Sequence, residues 1–219
     1  MKLQQKEFLR FIKLLSDNNV LKDVIVVGSW AEFVYAEAGI LPGFEANIRT
    51  LDIDFLLRNM RRPVPPKSIP SLAKEAGYIV QNDILDGTTK ILDKEGLEIE
   101  FLINSIGAGT ESTLSTNLGV TAQALRHLDI ILKNTFAVDY IGFDISVPIP
   151  EAYVIHKMAI NSSRKGKQEK DRLAIINLFP HLSEERFKTI YQSLSKSEKA
   201  EVDSFISNNE KDCVFSSAV

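Results

Sequence analysis

The sequence predicts an α+β fold, a mixed β-sheet flanked by helices over residues 1–149, followed by a C-terminal α-helical domain over residues 150–219. Three observations predict it. Short apolar runs at 24–27, 50–57 and 97–103 are rich in β-branched and aromatic residues, as strands are. Segments with helical spacing, such as Phe8, Phe11, Ile12 and Leu15, lie between and before them. After Pro148 and Pro150 the pattern turns helical throughout.

Taken in order, a helix is expected over 4–17, stopped by Asn18-Asn19, and then a buried strand of four aliphatic residues, Val24 to Val27. Gly28-Ser29 ends that strand and a helix follows over 30–38. Residues 39–49 read as a loop with two glycines and a proline. In the strand 50–57, Leu51, Ile53 and Phe55 alternate with Asp52 and Asp54. Residues 61–66 form a turn-rich break. Ser68 is placed to cap a helix to Ala76, with Gly77 as its stop. Strands are expected at 88–92 and 97–103, joined by a turn at Asp93-Lys94-Glu95-Gly96. Residues 107–117 read as a loop, and 129–132, 136–141 and 145–147 as strands. Pro150 then opens a run of four helices, 151–162, 168–179, 183–193 and 195–207.

The chain has 219 residues, enough for a core that needs no disulfide or metal staple. Twenty-six basic and 29 acidic residues give a net charge of −3, which disfavours a whole-surface nucleic-acid or membrane binder. No apolar run approaches the ~18 residues of a membrane span, so no membrane partner is expected. The first sixteen residues lack the charged-then-apolar order of a signal peptide, and Cys213 is the only cysteine. A reducing, cytoplasmic location is therefore expected. No Walker-type loop is present, Gly107-Ala108-Gly109 lacks the third glycine of a dinucleotide fingerprint, and His127, His156 and His181 lack metal-ligand spacing. Trp30 reads as core packing rather than a base-stacking platform.

The sharpest local feature is Asp52-Ile53-Asp54. Side chains alternate along a strand, so both carboxylates project to one face while Ile53 and Phe55 enter the core. Two unit charges ~4 Å apart repel by about 4 kcal/mol at an effective dielectric of ~20. A divalent cation is the simplest compensation, and oxygen donors suit Mg²⁺ or Mn²⁺. Glu98-Ile99-Glu100 repeats the geometry. Were the two strands neighbours, three or four carboxylates would converge as in a two-metal phosphoryl-transfer site. Half-exposed strands also alternate acids with apolar residues. The Gly28-Ser29 turn ahead of a helix shifts the balance, because a helix N-terminus offers N–H groups to an anion.

Together these residues resemble the nucleotidyltransferase superfamily, the polymerase-beta-like fold. Its pattern is an apolar strand, Gly-Ser, a helix, Asp-x-Asp on the next strand and a third carboxylate on a later one. The matching residues are Val24 to Val27, Gly28-Ser29, Asp52 and Asp54, and Glu100 or Glu98, of which Glu100 fits better because Phe101-Leu102 follows it. Arg49-Thr50-Leu51-Asp52-Ile53-Asp54-Phe55 looks like the pattern of the AbiEii-like branch, in which a basic helical segment carries Arg and then Lys-Asp. Lys157, Arg164 and Lys170-Asp171 fit that segment. Two departures stand: Asp52 comes 23 positions after Ser29, longer than the minimal pattern, and the third carboxylate is Glu rather than Asp.

The resemblance implies a metal-dependent transferase. It would take a nucleoside triphosphate such as ATP over Gly28 and Ser29, with Arg49, Thr50, Lys157, Arg164 and Lys170 as further nucleotide-binding residues. Asp52, Asp54, Glu100 and Glu98 are the candidate ligands of Mg²⁺ or Mn²⁺, and Glu100 is the candidate general base. The acceptor is open between tRNA, protein and a small molecule. A toxin paired with an antitoxin, an antibiotic- or metabolite-modifying adenylyltransferase and, last, a non-catalytic binding module are the alternatives. The charge distribution agrees: residues 157–172 hold six cations and two acids, a local +4 against −7 in the rest of the chain.

Overall fold

The computed structural model describes residues 3–46, 52–58, 66–105, 112–164 and 166–215. Helix α1 (Leu3–Asp17) turns its apolar stripe of Phe8, Phe11, Ile12 and Leu15 fully inward. After a 3₁₀ turn, strand β1 (Val24–Val27) runs straight into α2 (Gly28–Glu37), then β2 (Asp52–Leu57), α3 (Ile69–Glu75), β3 (Ile79–Asn82), β4 (Thr89–Leu92) and β5 (Glu98–Asn104). A short hairpin, β6 (Thr113–Ser115) and β7 (Thr121–Leu125), leads to α4 (Leu128–Lys133). A second hairpin, β8 (Thr135–Tyr140) and β9 (Phe143–Pro148), leads to α5 (Pro150–Asn161), α6 (Gln168–Leu178), α7 (Glu184–Gln192) and α8 (Lys196–Asn208).

The main sheet is mixed. β1 is antiparallel to β2, β2 is parallel to β5, and β5 is flanked on its far side by antiparallel β4 and parallel β7. β3 closes one edge against β4, and β6 pairs with β7. One sheet face carries Val24, Val26, Ile53, Phe55, Ile99 and Phe101 into the principal core. There Phe55 stacks on Phe101 and Phe11 packs against Phe55. On the opposite face Ile25, Val27 and Leu56 form a smaller core with Leu128 and Ile131 of α4. The acids lie on that second face, beyond the patch that α4 covers.

Ser68 caps α3 by accepting from the Ser71 amide, and Gly77 follows with φ +86°. Asp93 Oδ1 accepts from the Glu95 and Leu97 amides, which builds the β4–β5 turn. The run 129–132, expected as a strand, is instead the middle of helix α4. A short apolar run fits either state; an Asp129–Lys133 ion pair one turn apart and burial of Leu128 and Ile131 at helical spacing favour the helix. The sequence carries no strand expectation for β3, a short and largely exposed Ile-Val-Gln-Asn segment, or for β7, Thr-Ala-Gln-Ala-Leu, whose small residues lack the aromatic and β-branched run that marks a strand. Part of the expected loop 107–117 is strand β6, and residues 106–111 lie outside the described residues. Among the described residues no helix is long and apolar enough to cross a membrane.

Candidate active site

Strand pairing sets the site. Because β2 and β5 are parallel and in register, Asp52 stands beside Glu98 and Asp54 beside Glu100. Val27 of β1 stands across from Asp54, so the start of α2 overhangs that carboxylate. Gly28, the first residue of α2, has φ +66°, and a Cβ there would collide with Asp54 Oδ2. Only glycine serves at this place, for backbone conformation and for space. No side chain caps the N-terminus of α2 among the described residues, and its leading N–H groups open toward the cleft that Gly28 and Ser29 line.

The cleft has a volume of about 1090 Å³. Gly28, Ser29, Asp52, Asp54 and Glu100 line one wall, and Lys157, Arg164, Lys167, Lys170 and Asp171 of the α5–α6 region line the other. Asp171 is 3% exposed and organises that second wall, with Lys157 Nζ 2.6 Å from Oδ1 and Arg164 Nε 3.3 Å from Oδ2. Lys157 and Arg164, seven residues apart, thus meet through a carboxylate. Lys167 and Lys170 enter no ion pair with a described carboxylate. Arg172 turns away, to Glu169, Asp212 and Asn209.

The electrostatics follow from burial. The Asp54 carboxyl is pushed up to about 6, chiefly by burial, then by Glu100 and Asp52, while Lys167 and Lys157 pull it down. Glu100 is also raised, again by burial first, with Lys90 opposing. Burial is thus the main cause of both shifts, and oxygen donors of this kind could hold Mg²⁺ or Mn²⁺. Among the described residues no three carboxylate, imidazole or thiol groups are gathered tightly enough to hold a metal ion by themselves. Asp52 and Asp54, with Glu100 beside them, are the residues that could hold one.

Several residues of the site escaped the sequence reading. Glu32 lies one turn after Ser29 on α2, lines the cleft and accepts a 2.6 Å hydrogen bond from the Tyr153 hydroxyl. Burial raises its carboxyl, while Lys157 and Lys170 pull it down. Helical spacing from Ser29 and from Lys157 would have found both. Lys90 of β4 pairs with Glu98 at 2.6 Å and Glu100 at 3.2 Å; carrying the β4–β5 hairpin register back from its turn would have found it. Trp30 is fully buried and stacked on Phe8, a packing role. The histidines are also accounted for structurally. His127 is tied to Glu198 and His181 to the Pro42 carbonyl, while buried His156 is pushed down to about 3 and stays neutral. Arg49, Thr50 and Lys165 lie outside the described residues.

The chain is similar to known proteins. A family model described as Nucleotidyltransferase matches residues 6–198. No curated protein matches. Among solved structures, the chain is similar to an antigenic nucleotidyltransferase-like protein from Paracoccidioides brasiliensis, at 13% identity and a TM-score of 0.54, covering 93% of this chain and 88% of that one. It is also similar to ANT(2″)-Ia in complex with adenylyl-2″-tobramycin, at 12% identity and a TM-score of 0.49, covering 92% and 98%. With the Gly-Ser turn, the paired aspartates and a family model spanning nearly the whole chain in agreement, this protein belongs to the nucleotidyltransferase family, enzymes that transfer a nucleoside monophosphate.

Proposed function

We propose that the chain is a metal-dependent nucleotidyltransferase that moves a nucleoside monophosphate from a nucleoside triphosphate to an acceptor hydroxyl, with release of pyrophosphate. One observation carries the reading. The in-register carboxylates of β2 and β5 lie directly below an uncapped helix N-terminus and face a lysine- and arginine-bearing wall across one cleft. Opposed walls of opposite charge suit a triphosphate that needs cations on its oxygens and a divalent ion at its reacting end.

In this reading the α2 N–H groups and the Ser29 hydroxyl bind the triphosphate. Lys170, Lys157 and Arg164 neutralise it from the helical part, which begins at residue 150, and Arg49 and Thr50, which precede Asp52 in sequence, are further nucleotide-binding candidates. Asp52 and Asp54 would hold Mg²⁺ or Mn²⁺, which supplies charge neutralisation at the transferred phosphate. Glu100 takes the proton of the acceptor hydroxyl as its oxygen bonds to the α-phosphorus and the bond to pyrophosphate breaks. At about 1090 Å³ the cleft lies at the upper end of the usual ~300–1,000 Å³ of a small-ligand pocket, a size that suits a nucleotide. The motif running from Arg49 to Phe55 supports placement in the AbiEii-like branch.

The test is incubation of the purified chain with each α-labelled nucleoside triphosphate, Mg²⁺ or Mn²⁺, and a cell extract. Label should pass to one acceptor class, and Asp54→Ala should abolish it while the circular dichroism spectrum is unchanged. Undiminished labelling by Asp54→Ala would sink the assignment.

A further inference from the structure

Asp54, Glu100 and Lys90 form one row across three neighbouring strands. Asp54 is in register with Glu100. The β4–β5 pairing of Ile91 with Ile99 sets Lys90 opposite Glu100 one step further along. The Lys90 ammonium ends 2.6 Å from Glu98 Oε1, 3.2 Å from Glu100 Oε1 and 3.7 Å from Asp83 Oδ2. An ammonium has three protons to give and no lone pair, and three carboxylates surround this one. Its side chain is only 24% exposed, and both neighbours on β4, Thr89 and Ile91, are buried, so the strand aims the stem at the acids.

This cation draws on the same oxygens that a second divalent ion would need. Glu98 and Glu100 each present Oε1 to Lys90, and no three metal-binding groups come together among the described residues. Lys90 is bound to the chain, so its charge is present at any metal concentration.

We propose that Lys90 is a built-in cation that takes the place of one of two divalent ions, so that the nucleotide-bound protein holds a single metal on Asp52 and Asp54. Glu98 is then the counter-ion of Lys90 and not a metal ligand, while Glu100, held through one oxygen, keeps the other toward the cleft. The inference rests on the metal-dependent reading above.

The experiment counts bound Mn²⁺ by electron paramagnetic resonance on the full chain saturated with an α,β-methylene nucleoside triphosphate, run with each of the four bases. Wild type and Lys90→Arg should hold one Mn²⁺ per protein–nucleotide complex, and Lys90→Met should hold two. Lys90→Gln gives the same count should Lys90→Met fail to fold by circular dichroism. Two ions in wild type, or one in a folded neutral variant, overturns the role of Lys90 and leaves the transferase reading standing. A complex that binds nucleotide but no Mn²⁺, or a chain that binds none of the four nucleotides, overturns both.

Discussion

Gly28 gives Asp54 its space: the backbone of α2 begins so close over β2 that any Cβ at position 28 would occupy the place of Asp54 Oδ2. The anion-binding end of the helix and the acid face of the sheet are thus one construction, fixed by the Val27–Asp54 pairing. Gly28→Ala meets two penalties, the left-handed backbone, about 1–2 kcal/mol, and the displaced carboxylate. The expected outcome is a urea midpoint lowered to that extent together with loss of nucleotide transfer. A variant with normal transfer would show that Asp54 tolerates displacement.

Asp54 should make the stability of the protein depend on pH. Its carboxyl is pushed up to about 6 in the folded chain, mainly by burial, against an ordinary 3.8. Between these values the folded state holds a proton that the unfolded state has released. Stability therefore falls as pH rises through that window, and the full cost is present above it. Asp54→Asn should match wild type near pH 4 and exceed it by about 1–3 kcal/mol at pH 7.5. Urea unfolding at the two pH values checks this. Mn²⁺ at pH 7.5 should stabilise wild type and leave Asp54→Asn unchanged.

Asp171 holds Lys157 and Arg164 together while 3% exposed. Removing one member of a buried ion pair costs about 3–5 kcal/mol because its partners keep their charge. Asp171→Ala should lower stability by that amount in chemical denaturation and loosen the cationic wall, so that nucleotide affinity also falls.

How far the sequence reveals this site depends on whether contacts are local. Asp52 and Asp54 share a face because strands alternate, and this is plain in three residues. Their union with Glu98 and Glu100 depends on β2 and β5 lying side by side, although the partners Asp52 and Glu98 are 46 positions apart in the chain. Alternation gave the face and only the fold gave the neighbour. Lys90 sits between these cases, since a recognised hairpin turn already implies its register. The 129–132 run misled because three consecutive apolar residues, Ile130 to Leu132, carry no period, and the ion pair that favours the helix, Asp129–Lys133, flanks them. Strand β3 is short and mostly exposed, and β7 is built on small alanines, so neither carries the bulky apolar run that marks a strand.

The Tyr153–Glu32 bond links α5 to α2 across the cleft. Tyr153→Phe leaves the Glu32 carboxylate without its donor in a poorly solvated place, a cost of about 1–3 kcal/mol. Glu32→Gln keeps an acceptor for the hydroxyl and removes a charge that burial disfavours, so its stability should stay within about 1 kcal/mol of wild type. Thermal unfolding of the two variants separates them. Equal losses would mean that the contact acts by packing alone.

Lys170 offers the cleanest separation of binding from folding. It lines the cleft, is exposed, and enters no ion pair with a described carboxylate. Its neighbour Asp171 is buried and doubly paired. Surface substitutions away from packed contacts change stability by about 0.5 kcal/mol or less, whereas an ammonium on a phosphate is worth about 1.5–3 kcal/mol as a charge-assisted hydrogen bond. Lys170→Ala should therefore unfold as wild type does and bind a nucleoside triphosphate roughly ten- to a hundred-fold more weakly. The salt dependence of that affinity should flatten, because one phosphate contact fewer is screened. Titration of nucleotide at low and high ionic strength reads both effects. An unchanged affinity and salt slope would place Lys170 on a solvated surface, with Lys157, Arg164 and Lys167 left to hold the phosphates.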